Sequence, residues 1–196
     1  MKKKRNLKKL WLLVLVLPLL AMTACGGDNG NGSAAAETNP ITVAEIRAAQ
    51  TAWGEGLVGI STAFANNDNY VDIAVAVLEN LYGYEYGPVL FKPTIAAAVP
   101  FRFDWDGAAS YFIGTSAPNT IAEDGTGFAT NAWTAVSFED DWTYVITGES
   151  AIGMGTVVIV DGDGNLVTVQ KSMGWFRGTD GNLRLKLHHS SVPFGQ

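Results

Sequence analysis

The chain has 196 residues, of which 47% are hydrophobic and 16% charged. Six of its 13 basic residues lie in the first nine positions, so the rest of the chain has seven basic residues against 19 acidic ones, a net charge of −12. An acidic chain of this kind lacks the basic surface that binds nucleic acid, so we expect no nucleic-acid partner.

The N-terminus has the organisation of an export signal. Its basic residues precede an apolar stretch from Leu10 to Met22, which is short for a bilayer span and typical of a signal-peptide core. The stretch runs into Met22-Thr23-Ala24-Cys25, which resembles a bacterial lipobox, where the cysteine is acylated and becomes the new N-terminus. We predict a lipoprotein signal peptide over residues 1–24 and lipidation of Cys25. A cleaved secretory signal with an incidental cysteine is the alternative.

Residues 25–40 are rich in glycine, asparagine and alanine, as in a flexible tether. Gly26 resembles the default signal for sorting to the outer membrane of Gram-negative bacteria, so we expect a lipid anchor in the cell envelope, with the protein facing the periplasm. Lipidation of Cys25, the single cysteine, would leave no thiol for a disulfide or a metal. Residues 41–196 are then one domain that its hydrophobic core holds together.

Two helices are predicted at the start of this domain. Thr42 and Glu45 match a capping box that opens an amphipathic helix to about Ala65. The polar residues 66–69 interrupt that helix and cap a second one over residues 70–81.

Two spacings that imitate ligand-binding motifs are interpreted as structural. The glycines of residues 54–59 fit a dinucleotide fingerprint, but they lie inside a predicted helix with no strand before it, so close helix packing explains them better. Asp161, Asp163 and Asn165 imitate the start of a calcium loop whose required glycine and closing glutamate are missing. We interpret that segment as a hairpin turn.

The residues after the second helix are rich in Thr, Val, Tyr, Phe and Trp and are predicted to form strands. Turns are expected at residues 106–107, 161–164 and 180–181, and the last two make the final three strands a meander. Helices followed by a long antiparallel sheet indicate an α+β fold. A sheet curled around the two helices would leave a cavity between them.

Two adjacent histidines, the only ones in the chain, end the last predicted strand. Leucines alternate with basic residues over 183–187, and neighbouring residues of a strand point to opposite faces. Continued through the histidines, this alternation turns His189 and Ser191 inward and His188 and Ser190 outward. One inward imidazole makes a poor zinc site, because zinc normally takes three or more protein ligands.

Other polar residues of the strand region are candidates for the same cavity. Thr94 and Tyr111 each place a hydroxyl among apolar neighbours. Ordinary core packing with a satisfied hydroxyl explains them as well, and His189 could be a core histidine bonded to a backbone carbonyl. Trp133 is interpreted first as a core residue.

Several of these segments together resemble the iota-class carbonic anhydrases. The most specific is YGYEYGPVLFKPT, residues 82–94. Further similar blocks follow in the same order, at residues 107–112, residues 123–129 with Trp133, residues 151–155 and residues 187–191. The resemblance runs from about Trp53 to Phe194, nearly the whole domain.

This resemblance implies the cone-shaped α+β fold of the nuclear-transport-factor-like superfamily, with two N-terminal helices packed on a strongly curved antiparallel sheet. The association domain of calmodulin-dependent kinase II is related. Family members are typically homodimers that hydrate CO2 reversibly to bicarbonate and a proton. Their threonine, tyrosine, histidine and serine around the bicarbonate would correspond here to Thr94, Tyr111, His189 and Ser191. The alternative register uses His188 and Ser190.

We therefore expect a metal-free carbonic anhydrase. Thr94, Tyr111 and Ser191 would donate hydrogen bonds to the carbonate oxygens, in a pocket that Trp133 helps to keep dry. His189 would relay the proton near neutral pH. Zinc or manganese is the disfavoured alternative, since some family members have been described as metal-dependent. A non-catalytic domain of the same superfamily, for small-ligand binding or assembly, is the alternative function.

Overall fold

The structure, a computed structural model, describes residues 39–195. The predicted signal peptide, the lipidation site at Cys25 and nearly all of the predicted tether lie outside the described residues. Within them, no helix has both the length and the apolarity needed to cross a membrane. The elements, in chain order, are α1 (Val43–Ala65), α2 (Tyr70–Leu81), β1 (Leu90–Lys92), α3 (Trp105–Ile113), β2 (Ala135–Phe138), β3 (Thr143–Thr147), β4 (Ser150–Val160), β5 (Leu166–Arg177) and β6 (Leu183–Ser191).

The first two helices lie where the sequence predicts them. α1 begins with the predicted capping box, in which the side chains of Thr42 and Glu45 each accept a hydrogen bond from the other residue's backbone N–H. Asn69 caps α2. A Cβ at Gly56 would come within 2.7 Å of a methyl group of Val77 on α2. The interpretation of the α1 glycines as sites of close packing is confirmed at Gly56.

α3 is a departure from the predicted elements, because its sequence is predicted as strand with a turn at residues 106–107. The carboxylate of Asp104 accepts a hydrogen bond from the backbone N–H of Gly107 at 2.8 Å, which caps the helix. Residues 107–113 are all buried, so the segment has no polar face. Periodicity cannot distinguish a short apolar run of this kind from a buried strand, and the prediction is wrong for that reason.

The six strands form one open sheet in the order β1-β6-β5-β4-β2, with β3 also paired to β4. β4, β5 and β6 are the predicted antiparallel meander. The α+β class is therefore confirmed, but the expected wholly antiparallel sheet is wrong, because β1 pairs with β6 in parallel. A parallel pair requires a crossover connection, and here α3 and the rest of the sheet supply it.

The core lies between the helices and one face of the sheet. Its largest fully buried side chains come from every layer and include Tyr82, Phe91, Phe112, Ile159 and Met173. Burial of this apolar surface is the main stabilising term, at about 25 cal/mol per Å². The polar groups that share this interior must therefore find partners within the protein.

A β-bulge interrupts the last strand. Trp175 of β5 lies opposite Leu185 of β6, but the preceding Gly174 lies opposite Leu187. Lys186 is thus an extra residue on β6 without a counterpart on β5, as in a bulge. One extra residue inverts the alternation of side chains between the two faces.

The bulge reverses the orientation that the sequence predicts for the two histidines. His188 is 2% exposed and Ser190 1% exposed, and they lie opposite the buried Met173 and Lys171. His189 is exposed. The prediction that His189 and Ser191 face the interior is wrong, and the alternative register is the one that the fold adopts.

The loop after α3 packs back onto the helix. The N–H of Thr115 donates to the carbonyl of Gly125 at 2.9 Å. Gly114, which ends α3, has φ +52° and ψ −126°, and a Cβ there would clash with the carbonyl oxygen of Gly125. Glycine at position 114 therefore lets the loop approach the helix end closely.

We expect Gly114→Ala to destabilise the fold clearly more than Gly125→Ala. Gly125 has nearly the same backbone dihedrals, φ +55° and ψ −119°, so both alanines carry similar backbone strain. No heavy atom lies within 4 Å of a Cβ at Gly125, so only Gly114→Ala adds a clash. Urea denaturation should separate the two variants by at least about 1 kcal/mol. Equal losses would contradict the close packing of this loop.

Candidate active site

The parallel pairing of β1 with β6 brings two hydroxyls together. Thr94 follows Pro93 at the end of β1, and its Oγ1 donates a hydrogen bond to Ser190 Oγ on β6 at 2.6 Å. The ammonium of Lys92, on β1, donates to the backbone carbonyl of Ser190 at 3.2 Å. Thr94 and Ser190, which are 96 positions apart in the chain, therefore form one polar centre.

Tyr111 adds a third hydroxyl from α3. Its ring stacks on Phe128, with centroids 5.3 Å apart, and meets Phe91 edge-on at 5.6 Å. Burial raises the pKa of Tyr111, and the backbone N–H groups of Ile95 and Thr94, which lie at its hydroxyl, only partly offset that rise. The phenol therefore stays protonated at neutral pH and can donate a hydrogen bond.

His188 lies at the centre of a buried hydrogen-bonded chain. Trp53 Nε1 donates to the Tyr82 hydroxyl at 3.0 Å, and that hydroxyl lies 2.8 Å from His188 Nδ1. The imidazole also stacks on Phe91, with centroids 4.9 Å apart. Burial, together with the charges of Lys171 and His189, holds the pKa of His188 well below 6.5. The ring is therefore neutral near pH 7.

Lys171 completes this chain, and the sequence analysis missed it. Its Nζ lies 2.9 Å from His188 Nε2 and 3.3 Å from Ser190 Oγ. The same nitrogen lies 4.5 Å from the centroid of the Trp53 ring. Burial lowers the pKa of Lys171 from 10.5 to about 7. The sequence contained a hint of its burial, because Lys171 lies between the apolar Val169 and Met173 at every second position of β5, and all three side chains are buried on the inner face.

Tyr82 was not predicted as a site residue either, although it opens the most specific block of the resemblance. It directly follows α2, and its position beside β6 is held by the hydrogen bond from Gly83 N–H to the Leu185 carbonyl at 2.9 Å. Burial raises the pKa of Tyr82 well above 10, so this phenol also stays protonated. Tyr82 thus links α2 to the imidazole of His188.

Trp133 is separated from Tyr111 by the ring of Phe128. Its ring packs on Phe128 at 5.0 Å, and Phe128 in turn stacks on Tyr111. The indole N–H donates to the backbone carbonyl of Phe128 at 2.6 Å. Trp133 therefore supports the aromatic wall of the site, and its polar atom is already used.

His189 and Ser191 lie on the other face of the sheet. They line a shallow pocket of about 490 Å³ together with Asp141, Thr143 and Gln170. This pocket lacks the aromatic walls that surround Tyr111 and His188. The larger pocket of about 670 Å³ between α1 and β2 contains none of the predicted site residues.

The carboxylates nearest the hydroxyls are engaged elsewhere. Arg102, 1% exposed, pairs with Asp124 at 2.9 Å and Glu123 at 3.2 Å, and Asp124 also accepts from Ser110. Three backbone N–H groups of residues 97–99 donate to Glu123 and lower its pKa to about 2. Within residues 39–195, no three His, Cys, Asp or Glu side chains cluster closely enough to hold a metal.

Comparisons with known proteins identify the family of this chain. The family described as metal-independent carbonic anhydrase matches residues 44–192, and the chain belongs to that family. A metal-independent carbonic anhydrase from Nostoc sp. is 38% identical over 193 residues, which cover 94% of this chain and 92% of the relative. The predicted resemblance to the iota class is thus confirmed.

One solved structure gives the same result. The crystal structure of an iota-carbonic anhydrase from a cyanobacterium, complexed with bicarbonate, is 40% identical with a TM-score of 0.73, covering 80% of this chain and 95% of that one. A nuclear transport factor 2-like superfamily protein from Salmonella enterica is a distant match, 15% identical with a TM-score of 0.40, covering 76% and 93%. That second similarity is too weak to bear on function.

The lowered pKa of Lys171 predicts how the free energy of unfolding changes with pH. Folded Lys171 has a pKa of about 7, whereas an unfolded lysine titrates near 10.4. Between these values the unfolded state binds a proton that the folded state does not, so the free energy of unfolding should increase as pH rises from 7 to 10. The contribution of Lys171 should be on the order of a few kcal/mol, since each pKa unit corresponds to about 1.4 kcal/mol.

Urea denaturation of the wild type and of Lys171→Met at pH 7 and pH 10 measures this contribution. The pH-dependent gain should be smaller in Lys171→Met, because the titrating amine is gone. Lys186→Met is the matched control, since Lys186 also lies over an aromatic ring, that of Phe176, and it should keep the full gain. An undiminished gain in Lys171→Met would contradict the lowered pKa.

Proposed function

We propose that this chain hydrates CO2 reversibly to bicarbonate and a proton, without a metal, at the cluster formed by Thr94, Tyr111, Ser190 and His188. Membership of the metal-independent carbonic anhydrase family supports the reaction class. The observation that carries the assignment of the site is the 2.6 Å pair of Thr94 and Ser190 hydroxyls beside the buried, protonated Tyr111.

The reaction needs hydrogen-bond donors where negative charge develops. Ser190 Oγ accepts from Thr94 and lies within reach of the Lys171 amine, so its own hydrogen is free to point at a substrate oxygen. Tyr111 supplies a second donor because its pKa is raised. Donors fixed in a dry site stabilise a nascent anion far better than water does, because they need no reorganisation.

His188 takes the place that the sequence analysis gave to His189. Because its pKa is far below 6.5, His188 stays neutral through the physiological range and holds its neighbours in place rather than storing the proton. A pocket of about 250 Å³ between Ile95, Tyr111 and Phe128 gives a small molecule access to the Tyr111 side of this cluster.

A paired set of substitutions tests the assignment. Ser190→Ala and Tyr111→Phe each remove a donor to the developing anion and should lower kcat for CO2 hydration about 10- to 1000-fold. Ser191→Ala and His189→Ala change the outer face of the same strand and should keep near wild-type rates. Stopped-flow hydration assays after exhaustive chelation measure all four variants.

The opposite ranking, with Ser191→Ala impaired and Ser190→Ala active, would overturn the assignment of the site. Wild-type activity that disappears with chelator and returns with zinc or manganese would overturn the metal-free mechanism. A folded wild type with no activity in any condition would favour the non-catalytic alternative.

We also propose that the protein is exported and lipid-anchored through Cys25, with the domain in the periplasm at the outer membrane. The basic and apolar N-terminal sequence and the lipobox-like Met22-Thr23-Ala24-Cys25 support this proposal. We also propose that the protein is a homodimer, and this proposal rests on the family resemblance alone.

Replacement of Cys25 tests the anchor. Cys25→Ala should move the protein from the membrane fraction to the soluble fraction or leave the signal uncleaved, because acylation of that thiol precedes cleavage in lipoproteins. Mass spectrometry of the mature wild-type N-terminus should show acylated Cys25. An unmodified N-terminus and a soluble periplasmic wild type would instead support the simple secretory signal, and density-gradient separation of the membranes locates an anchored form.

A further inference from the structure

We propose that Lys171 accepts the proton that water loses during CO2 hydration and returns it during dehydration. This inference rests on the proposed function and assigns its proton acceptor. Lys171 lies 3.3 Å from Ser190 Oγ, the hydroxyl proposed to contact the substrate. It is therefore one hydrogen bond away from the reacting atoms.

The direction of the hydrogen bonds indicates that Lys171 can be a neutral amine. Trp53 Nε1 can only donate, so the Tyr82 oxygen accepts from it and the Tyr82 hydrogen is available to His188 Nδ1. A neutral imidazole that accepts at Nδ1 carries its hydrogen on Nε2. Nε2 then donates to Nζ at 2.9 Å, and only an uncharged amine has the lone pair to accept.

The protonated form is accommodated in the same place. An ammonium at Lys171 donates to His188 Nε2 and to Ser190 Oγ, and the ring of Trp53 lies 4.5 Å away for a cation–π contact. This form requires the imidazole hydrogen to move from Nε2 to Nδ1, which then donates to the Tyr82 oxygen, so the Tyr82 hydroxyl hydrogen turns away from the imidazole. Both protonation states of the amine therefore have partners.

The surroundings leave the amine free to exchange its proton. The titratable groups on its inner side are His188 on β6 and Tyr82 after α2, both neutral, and Lys92 on β1, which donates to the Ser190 carbonyl. On the other face of the sheet, His189 is close enough for the charge of Lys171 to lower its pKa, and Asp141 lines the same pocket. Within residues 39–195, no carboxylate forms an ion pair with Lys171. Burial lowers its pKa to about 7, and a proton acceptor works best when its pKa is near the working pH.

The step balances without any further reactant. The water oxygen forms a bond to the carbon of CO2, and one C=O electron pair moves onto a CO2 oxygen. Rotation about the Cε–Nζ bond turns the lone pair toward Ser190, and Ser190 turns its hydrogen from the substrate oxygen to Nζ. A water proton then passes to Ser190 Oγ while the Ser190 hydrogen passes to Nζ, and Tyr111 remains the donor to the developing anion. The products are bicarbonate and the Lys171 ammonium, whose charge stabilises the new anion.

The pH dependence of activity tests this role. In the wild type, kcat/KM for hydration should rise with pH, and kcat/KM for dehydration should fall, through one ionisation near pH 7. Lys171→Met should lose that ionisation and about 100-fold or more of the rate. Lys171→Arg, whose charge is permanent, should be equally slow. Lys186→Met should keep the wild-type profile.

Two kinetic outcomes would overturn the inference. An active Lys171→Arg would show that only a positive charge is needed, and an unchanged pH profile in Lys171→Met would assign the proton to another group. Near-ultraviolet circular dichroism checks that each variant is folded.

A measurement on the wild type keeps the inference testable even if the variants do not fold. In protein labelled with ¹³C-lysine, one Cε resonance should titrate near pH 7, while exposed lysines titrate near 10.4. If every lysine titrates near 10, the role of Lys171 is overturned although the wild type hydrates CO2. An inactive wild type overturns the proposed function itself, and this inference with it.

Discussion

A single extra residue in the last strand decides which side chains form the site. Lys186 has no partner on β5, so every residue after it changes face. Without this bulge, the interior would receive His189 and Ser191, and the Thr94 hydroxyl at the end of β1 would have no Ser190 beside it. The short parallel pairing of β1 with β6 then places Thr94 next to the inward serine. Backbone register therefore determines the chemistry of this protein more directly than any one side chain does.

The second constraint is the presence of polar groups in an aromatic interior. An imidazole, an amine and three hydroxyls are buried among Phe, Tyr and Trp rings, where an unsatisfied polar atom costs about 1–3 kcal/mol. The chain from Trp53 through Tyr82 and His188 to Lys171 satisfies these groups mutually. In this buried chain the pKa of His188 lies well below 6.5, so the imidazole is neutral, and the pKa of the Lys171 amine is lowered to about 7. Burial in this arrangement destabilises the charged forms, and the same burial tunes the groups for proton transfer.

This arrangement accounts for how a carbonic anhydrase can work without the metal chemistry of zinc enzymes. Zinc lowers the pKa of bound water and neutralises the product charge in one step. We propose that the two tasks are divided here: hydroxyl donors receive the developing anion, and a buried amine receives the proton. The carboxylates that could have joined a metal site are committed to Arg102, to Ser110 and to the backbone of residues 97–99. The acidic residues thus serve the architecture around the site.

The sequence by itself determined the elements whose signals are local: the capping box of α1, the Asn69 cap of α2 and the turns of the final meander. It also determined the family, because the block over residues 82–94 and the later blocks are specific in order and spacing. It offered Thr94 and Tyr111 as site residues, and it limited the histidine and the serine to two possible strand registers. Only the tertiary structure decided between those registers, formed α3 and placed Lys171 against His188. A bulge, a parallel pairing and a fully buried helix depend on partners distant in the chain, and local periodicity does not contain that information.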